Sequence, residues 1–321
     1  MRSMIARSSS LCLAAFCSVT MLAPAVHAAD RVGFQSQDDG TLQIKVGDRV
    51  FAVLNSADQW AKPFLYPMYS PEGKNILRPI IPTAADQGSS KDGTDHFHHK
   101  GVWIAVDSVN DEKLNFWHEK DRIDNQSVSC ETAENGTGII TLENNWMEGD
   151  AVLLKEKTVV TIHPTGLTTW QIQLQAVEKD VTFHDTKEGF FAVRVAHSMR
   201  EMNGGRIENA AGIKGEKECW GQESPWVDYV GDVDGTVAGV TLMDHPGNFR
   251  PSRYHVRAYG LFAISPFGPK SYSGGQQEES PVTLKKDGEP LQLTYGMYIH
   301  SGETADADIP AAYQLFLNAV R

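Results

Sequence analysis

The sequence predicts an all-β protein, a large antiparallel β-sandwich with a short C-terminal helix. Short runs enriched in β-branched and aromatic residues recur along the chain, and several of them alternate apolar and polar side chains. Turn-forming pairs such as Asp39-Gly40 and Asn135-Gly136 separate these runs, whereas helical periodicity is nearly absent. Because no linker interrupts the series, we expect two large packed sheets, with a closed barrel as the alternative architecture.

The individual elements follow from the same pattern. The strand signature occurs at residues 41–46, 151–155, 157–162, 167–174, 190–195, 237–242 and 291–299. A helix is predicted over residues 309–320, because Asp308 supplies a cap and Pro310 occupies the first turn.

Residues 1–28 are predicted to be a secretory signal peptide. Arg2 and Arg7 form its basic start, an apolar stretch follows, and a small-residue cleavage site ends at Ala28. No later stretch approaches the ~20 apolar residues of a membrane-spanning helix, so we predict no membrane insertion. The mature chain, 29–321, is then expected to be a single β-sandwich domain that is periplasmic or secreted.

Charge and cysteine content narrow the classes of partner. The formal net charge is −12, and loss of two arginines with the signal peptide takes it to −14. This balance argues against nucleic acid and anionic membranes and favours a small-molecule or oligosaccharide substrate. Cys130 and Cys219 remain in the mature chain, and they could form one disulfide in an oxidising compartment.

The densest group of titratable side chains lies at 95–103, Asp-His-Phe-His-His-Lys-Gly-Val-Trp. A strand here would place His96 and His98 on one face and His99 on the other, while Trp103 fills core volume. Histidine titrates near neutral pH, so the group is predicted to bind a ligand or to transfer protons. The alternative is a hydrogen-bonded structural network.

A second polar group follows an apolar region near residue 250. Alternation along a strand puts Arg253, His255, Arg257 and Tyr259 on one face. A buried arginine is tolerated only when it is paired, so Arg257 should meet a carboxylate or a ligand oxygen. The alternative is an arginine held in a salt-bridged sheet face.

A third group contains a carboxylate within apolar sequence. Glu188 and Arg194 have the same strand parity, and Glu188 lies between Phe183 and Phe190. Apolar surroundings raise the pKa of a carboxyl group, which suits a general acid or base, so a raised pKa is predicted for Glu188. An ordinary ion pair at the strand end is the alternative.

Five longer motifs share one order along the chain. They lie at 64–75, 95–103 with 115–117, 188–194, 226–231 and 244–268. Together they resemble a family of exported bacterial proteins labelled PmoA-like, from about Phe64 to the C-terminus. The resemblance implies a secreted all-β protein from bacteria that degrade polysaccharides. Its expected architecture is similar to the large sandwiches, or supersandwiches, of sugar mutarotases, which carry His, Arg and carboxylate groups on a concave sheet face.

These observations lead to one leading hypothesis, a periplasmic carbohydrate-active enzyme that uses His/Glu acid–base chemistry. The predicted catalytic residues are His98, His99, Glu188 and His255. The predicted substrate-binding residues are Asp95, Trp103, Trp117, Arg194, Arg257 and Tyr259. Hydrolysis, elimination and epimerisation all remain open, because the sequence offers only Asp95 or Asp185 as a second carboxylate for hydrolysis.

Two other classes of function are weighed beside it. The sequence requires no cofactor, but the imidazoles of His96, His98 and His99 with Glu188 or Asp244 could hold a divalent metal, as in a metal-dependent enzyme or oxygenase. Alternatively the chain is a non-catalytic glycan-binding protein that stacks sugars on its seven tryptophans.

Overall fold

The computed structural model describes residues 31–80, 96–110 and 113–319. The predicted signal peptide at 1–28 and the predicted loop at 83–95 lie outside the described residues. Within the described part, no helix is long and apolar enough to span a bilayer.

Strands make up most of the described chain. They are β1 (Val32–Ser36), β2 (Leu42–Val46), β3 (Arg49–Asn55), β4 (Phe64–Met68), β5 (Val102–Val106), β6 (Ile123–Thr132), β7 (Gly138–Glu148), β8 (Ala151–Ile162), β9 (Leu167–Ala176), β10 (Val181–Phe183), β11 (Gly189–Arg194), β12 (Arg206–Asn209), β13 (Trp226–Val233), β14 (Thr236–Asp244), β15 (Arg253–Val256), β16 (Leu261–Ser265), β17 (Val282–Leu284) and β18 (Leu291–Ser301).

The helices are short. They are α1 (Glu216–Cys219), α2 (Pro269–Tyr272) and α3 (Ile309–Ala319), with 3-10 turns at His197–Met199 and Glu201–Asn203.

Two eight-stranded antiparallel sheets form the body of the protein. The first sheet has the order β1-β2-β3-β4-β5-β11-β16-β15, and the second has the order β12-β13-β14-β18-β9-β8-β7-β6. Strands β10 and β17 form a separate two-stranded ladder. The predicted all-β sandwich with a short C-terminal helix is therefore confirmed.

Aromatic residues from both sheets fill the space between them. Phe191 on β11 stacks on Tyr295 of β18 with 5.8 Å between ring centroids, and it also packs against Trp170 of β9 at 4.8 Å. All three side chains are buried in one apolar cluster that draws on both sheets. The sheets consequently bury their facing sides against each other, as two-layer domains require.

The predicted elements agree with the observed ones, with one difference in the strands. Segments 151–155 and 157–162 are a single strand, β8, because Glu156 is buried between exposed Lys155 and Lys157 and so keeps the alternation. The predicted C-terminal helix is confirmed as α3, and the Asp308 carboxylate accepts a hydrogen bond from the backbone of its first turn.

The cysteines do not form a disulfide. Cys130 and Cys219 are both free thiols, one exposed and one buried. Cys130 lies on β6 at one edge of the second sheet, whereas Cys219 belongs to α1, which contacts β12 at the other edge. The width of the sheet separates the two sulfur atoms, so the disulfide considered from the sequence does not form.

Candidate functional site

The candidate site lies on the side of the first sheet that points away from the second sheet. Phe191 points into the sandwich, so its neighbour Ala192 points to the opposite side. Ala192 pairs with Trp103 on β5 and with Ala263 on β16, and Ala263 pairs with His255 on β15. Cross-strand partners share a side, so these four residues form a row about 14 Å long at the usual strand spacing. We call this side the site face.

The histidine motif at the edge of this row is a turn. His96 has a φ of 51°, and the backbone N–H of His99 donates to the His96 carbonyl at 2.9 Å. The prediction that His96 and His98 share one strand face is therefore wrong. Gly101 ends the turn with a φ of 58°, and a Cβ at this position would lie 2.0 Å from the carbonyl oxygen of Leu65. The close approach of the two chains explains the glycine.

The turn folds the imidazoles back over the indoles of the site face. The His99 ring stacks on Trp103 with 5.3 Å between centroids and meets Trp117 edge-on at 5.6 Å. His98 lies 4.4 Å from His99, and His96 stacks on His99 from the other side at 4.7 Å. Predicted catalytic and substrate-binding residues thus form one aromatic cluster.

A buried lysine fixes the position of this turn. The ammonium of Lys62 donates to the His98 carbonyl at 2.9 Å and to the Glu119 carboxylate at 2.7 Å. Lys100 contacts the same carboxylate. Burial lowers the pKa of Lys62 to about 8, although Glu119 acts in the opposite direction. An ion pair therefore holds the turn against the segment that carries Trp117.

The imidazoles of His98 and His99 are neutral at pH 7. Burial lowers the pKa of His98 far below its ordinary value, and the positive charges of His118 and Lys62 act in the same direction. Burial and the nearby Arg194 guanidinium lower the pKa of His99 as well. A neutral imidazole can donate a hydrogen bond from one nitrogen and accept one at the other.

Several buried ring nitrogens in this cluster have no hydrogen-bond partner among the described residues. They are Nε2 of His98, Nε2 of His99, Nε1 of Trp103 and Nε1 of Trp117. Buried polar atoms without partners are rare in proteins and mark positions where a ligand or ordered water binds. Here they occur within one cluster on the site face.

Two arginines and a tyrosine form the next part of the site. The Arg194 guanidinium lies 4.7 Å from the centroid of the Tyr259 ring, and Arg257 lies 5.6 Å from the same ring. Nη1 of Arg194 is 3.4 Å from Nδ1 of His99. Nε of Arg257 lies 2.8 Å from the Glu216 carboxylate. Arg257 therefore meets a carboxylate, as the sequence predicts.

Glu188 and His255 lie at the other end of the row. Nδ1 of His255 donates to the Lys187 carbonyl at 2.9 Å, because a carbonyl oxygen can only accept. The proton of the neutral ring is therefore on Nδ1, and Nε2 keeps its lone pair. Nδ1 also lies 4.0 Å from the Glu188 carboxylate. Burial lowers the pKa of His255 to about 4, although Glu188 raises it.

The pKa of Glu188 differs from the prediction. Burial raises this pKa, but the positive charges of His255, Lys187 and His118 outweigh the effect of burial and leave it below its ordinary value. Lys187 also contacts the Glu188 carboxylate directly. The predicted raised pKa is wrong, because the sequence pattern shows the flanking phenylalanines and does not show the cations. Glu188 is ionised at neutral pH.

His118 joins the two ends of the site, and the sequence analysis missed it. Its ring lies 4.5 Å from that of His98, and its charge acts on both Glu188 and Asp107. The side-chain oxygen of Asn115 accepts from the His118 backbone N–H at 2.8 Å and lies 3.1 Å from Nδ1 of the ring. The signal was present, because His118 directly follows the motif at 115–117.

The remaining candidate ligands and acids have other positions. Asp95 lies outside the described residues. The Asp185 carboxylate accepts two backbone N–H bonds at the start of α2, and Asp244 accepts hydrogen bonds from Ser252 and Asn248. Neither carboxylate joins the histidines. Among the described residues, no group of three His, Cys, Asp or Glu side chains is arranged to hold a metal ion.

Comparison with known proteins gives a family and distant structural likenesses. The model of DUF6807, described as a family of unknown function, matches residues 41–314. No curated protein matches the chain. The resemblance to PmoA-like proteins stays a prediction.

Three solved structures show similarity at low identity. A beta-arabinopyranosidase is 12% identical with a TM-score of 0.44, covering 78% of this chain and 38% of its own. The GH36 alpha-galactosidase AgaA from Geobacillus stearothermophilus is 10% identical with a TM-score of 0.45, covering 81% and 40%. The putative mutarotase YeaD from Salmonella typhimurium is 7% identical with a TM-score of 0.34, covering 85% and 94%. The chain thus spans about two fifths of the first two proteins.

Proposed function

This chain belongs to the DUF6807 family, and we propose that it is a carbohydrate-active enzyme that uses acid–base catalysis on the site face. The sequence pattern of residues 1–28 supports action in the periplasm or outside the cell. Intact-mass analysis of protein from the exported fraction should give a chain that begins at Ala29, whereas a chain that keeps Met1 would contradict export.

The observation that carries the proposal is the cluster of unpartnered ring nitrogens. Nε1 of Trp103 and Nε1 of Trp117 are donors, and the neutral imidazoles of His98 and His99 offer both donors and acceptors. Sugar hydroxyl groups donate and accept at once, and they carry no charge. A pyranose would therefore satisfy these atoms, and the adjacent Tyr259 ring could contact its apolar side.

Proton transfer requires groups that are poised to accept and return protons. Glu188 is a carboxylate at neutral pH, and His255 keeps a lone pair on Nε2. Both lie within about 14 Å of the cluster around Trp103, a span that accommodates one or two sugar rings. Bond cleavage and epimerisation of sugars both need this type of group, which contributes on the order of 10²–10⁴-fold in rate.

The test uses a panel of neutral mono- and oligosaccharides with the full mature chain. Binding is measured by calorimetry and turnover by product analysis for wild type and for His98→Ala, Glu188→Gln and His255→Ala. His163→Ala, in the turn between β8 and β9, is the matched histidine control. We expect the three site variants to lose at least about 100-fold in turnover. The control should retain wild-type rates.

The same experiment separates the rival function. A non-catalytic glycan-binding protein would bind a sugar without any product, and all variants would then differ only in affinity. Loss of turnover in His98→Ala with sugar binding retained would support catalysis. Absence of both binding and turnover across the panel would refute the proposal.

A further inference from the structure

We propose that Asp107 is a second catalytic carboxyl group, which works with Glu188 to hydrolyse a glycosidic bond. The inference rests on the proposed function and gives it a reaction class. The sequence offered Asp95 and Asp185 as partners for Glu188, but Asp185 caps α2 and Asp95 lies outside the described residues. Asp107 is instead the carboxylate that the fold places beside Glu188.

The register of the first sheet brings the two residues together. Gly189 on β11 pairs with Val106 on β5, so Glu188 and Asp107 are the next opposed pair of the same ladder. The backbone N–H of Asp107 donates to the Glu188 carbonyl at 3.1 Å. Asp107 also has the strand parity of Trp103, which points to the site face.

A shared hydroxyl group connects the two residues. Thr186 donates from Oγ1 to Oδ1 of Asp107 at 2.5 Å, and the same oxygen accepts from the backbone N–H of Glu188 at 3.0 Å. The charge of His118 acts on both carboxyl groups. Asp107 and Glu188 are both partly exposed, so a substrate can reach them.

The two carboxyl groups have opposite electrostatic surroundings. Burial, together with the negative charge of Glu188, raises the pKa of Asp107. Positive charges around Glu188 lower its pKa below the ordinary value. A pair of carboxyl groups with pKa values displaced in opposite directions can hold one proton between them, which assigns the acid and the base.

The proposed reaction is balanced with water as the co-reactant. Asp107 gives its proton to the glycosidic oxygen as the bond from that oxygen to the anomeric carbon breaks, and the bonding electron pair stays on the departing oxygen. Glu188 takes a proton from the water molecule whose oxygen forms the new bond to the anomeric carbon. Transfer of the proton from Glu188 to solvent and uptake of one by Asp107 restore both groups.

Leaving-group dependence tests the role of Asp107. The probes are phenyl and 2,4-dinitrophenyl glycosides of common neutral pyranoses, because a dinitrophenolate departs without protonation. Asp107→Asn should lower kcat/KM on the phenyl glycoside by about 10²–10⁴-fold and on the dinitrophenyl glycoside by less than about tenfold. Glu188→Gln should lower both. Asp180→Asn, an exposed carboxylate paired with Lys285, is the control and should change neither.

Two further readouts keep the test independent of folding and of the sugar. Asp107→Glu retains the acid and should keep more activity on the phenyl glycoside than Asp107→Asn. Carbon-13 NMR titration of the Asp107 carboxyl group should show its pKa fall in Glu188→Gln, because the neighbouring negative charge is gone.

The possible failures are distinguishable. Equal loss on both glycosides in Asp107→Asn, or an unchanged Asp107 pKa in Glu188→Gln, would overturn the pairing. A wild-type enzyme that epimerises or eliminates a sugar but releases no phenol would overturn hydrolysis while the proposed function stands. Absence of any binding or turnover in the neutral sugar panel would overturn both.

Discussion

Replacement of Glu119 by Gln should destabilise the protein by an amount that the burial of Lys62 sets. The pKa of Lys62 falls from 10.5 to about 8 while Glu119 is present. At 1.36 kcal/mol per pH unit, this burial costs about 3.4 kcal/mol of folding free energy at pH 7. Because the folded pKa lies below the unfolded one, the penalty is absent above pH 10.5, grows as the pH falls and is complete below about pH 8.

Without its carboxylate partner, Lys62 can escape an unpaired buried charge by losing its proton. Deprotonation of a group with an unfolded pKa of 10.5 costs about 4.8 kcal/mol at pH 7, which limits the additional loss to about 1.4 kcal/mol. The ion pair between Glu119 and Lys100, which is more exposed, adds about 0–1 kcal/mol. Glu119→Gln should therefore lose about 1.5–2.5 kcal/mol at pH 7.

Urea denaturation followed by tryptophan fluorescence between pH 6 and 9 measures this difference. The gap between wild type and Glu119→Gln should narrow as the pH rises above 8, because Lys62 then becomes neutral in both proteins. Adding Lys62→Met to Glu119→Gln should recover much of the loss, since it removes the buried amine. Asp180→Asn should leave the midpoint unchanged. No loss at pH 7, or a loss of about 4 kcal/mol or more, would refute this reasoning.

Three further predictions concern groups away from the site. Native protein treated with iodoacetamide should be labelled at exposed Cys130 and not at buried Cys219, whose thiol pKa burial raises to about 11; equal labelling in peptide maps would contradict this. Burial lowers the pKa of His300, but Asp228 outweighs burial and leaves it above 6.5, so this contribution to stability is complete below pH 6.5 and lost as the pH rises through the raised pKa. Asp228→Asn should abolish that dependence in urea titrations from pH 5 to 8. Glu156→Gln should cost about 1–3 kcal/mol in the same assay, because its amide nitrogen would face a buried donor, and an unchanged midpoint would argue against the observed hydrogen bonds.

The sequence predicts the sandwich well because burial alternates along its strands. In β9 every second side chain from Trp170 to Ala176 is buried, so a period of two is visible without a structure. The exception is β8, where buried Glu156 reads as a break. A carboxylate in the core is uncommon, and only the three donors around it show why the strand continues.

The candidate site is less predictable because its geometry depends on residues distant in sequence. Parity places Arg194 and His255 on one face, but it cannot show that Asp107 lies opposite Glu188, since strand order must be known first. The pKa of Glu188 is the sharper case. Its sequence neighbours are apolar, whereas the cations that lower its pKa include His255, which reaches it from another strand. Electrostatic surroundings are a property of the folded chain.

The charges around the site face explain how a strongly acidic chain can hold neutral imidazoles there. Lys62 and Lys100 share the Glu119 carboxylate, and Arg257 pairs with Glu216. These ion pairs keep cations close to the histidines, and their positive charges lower the imidazole pKa values together with burial. Because each of these cations has a carboxylate partner, the pairs add little net charge. Such a site binds an uncharged polyhydroxyl ligand without a large electrostatic penalty and keeps its imidazoles unprotonated for hydrogen bonding and proton transfer.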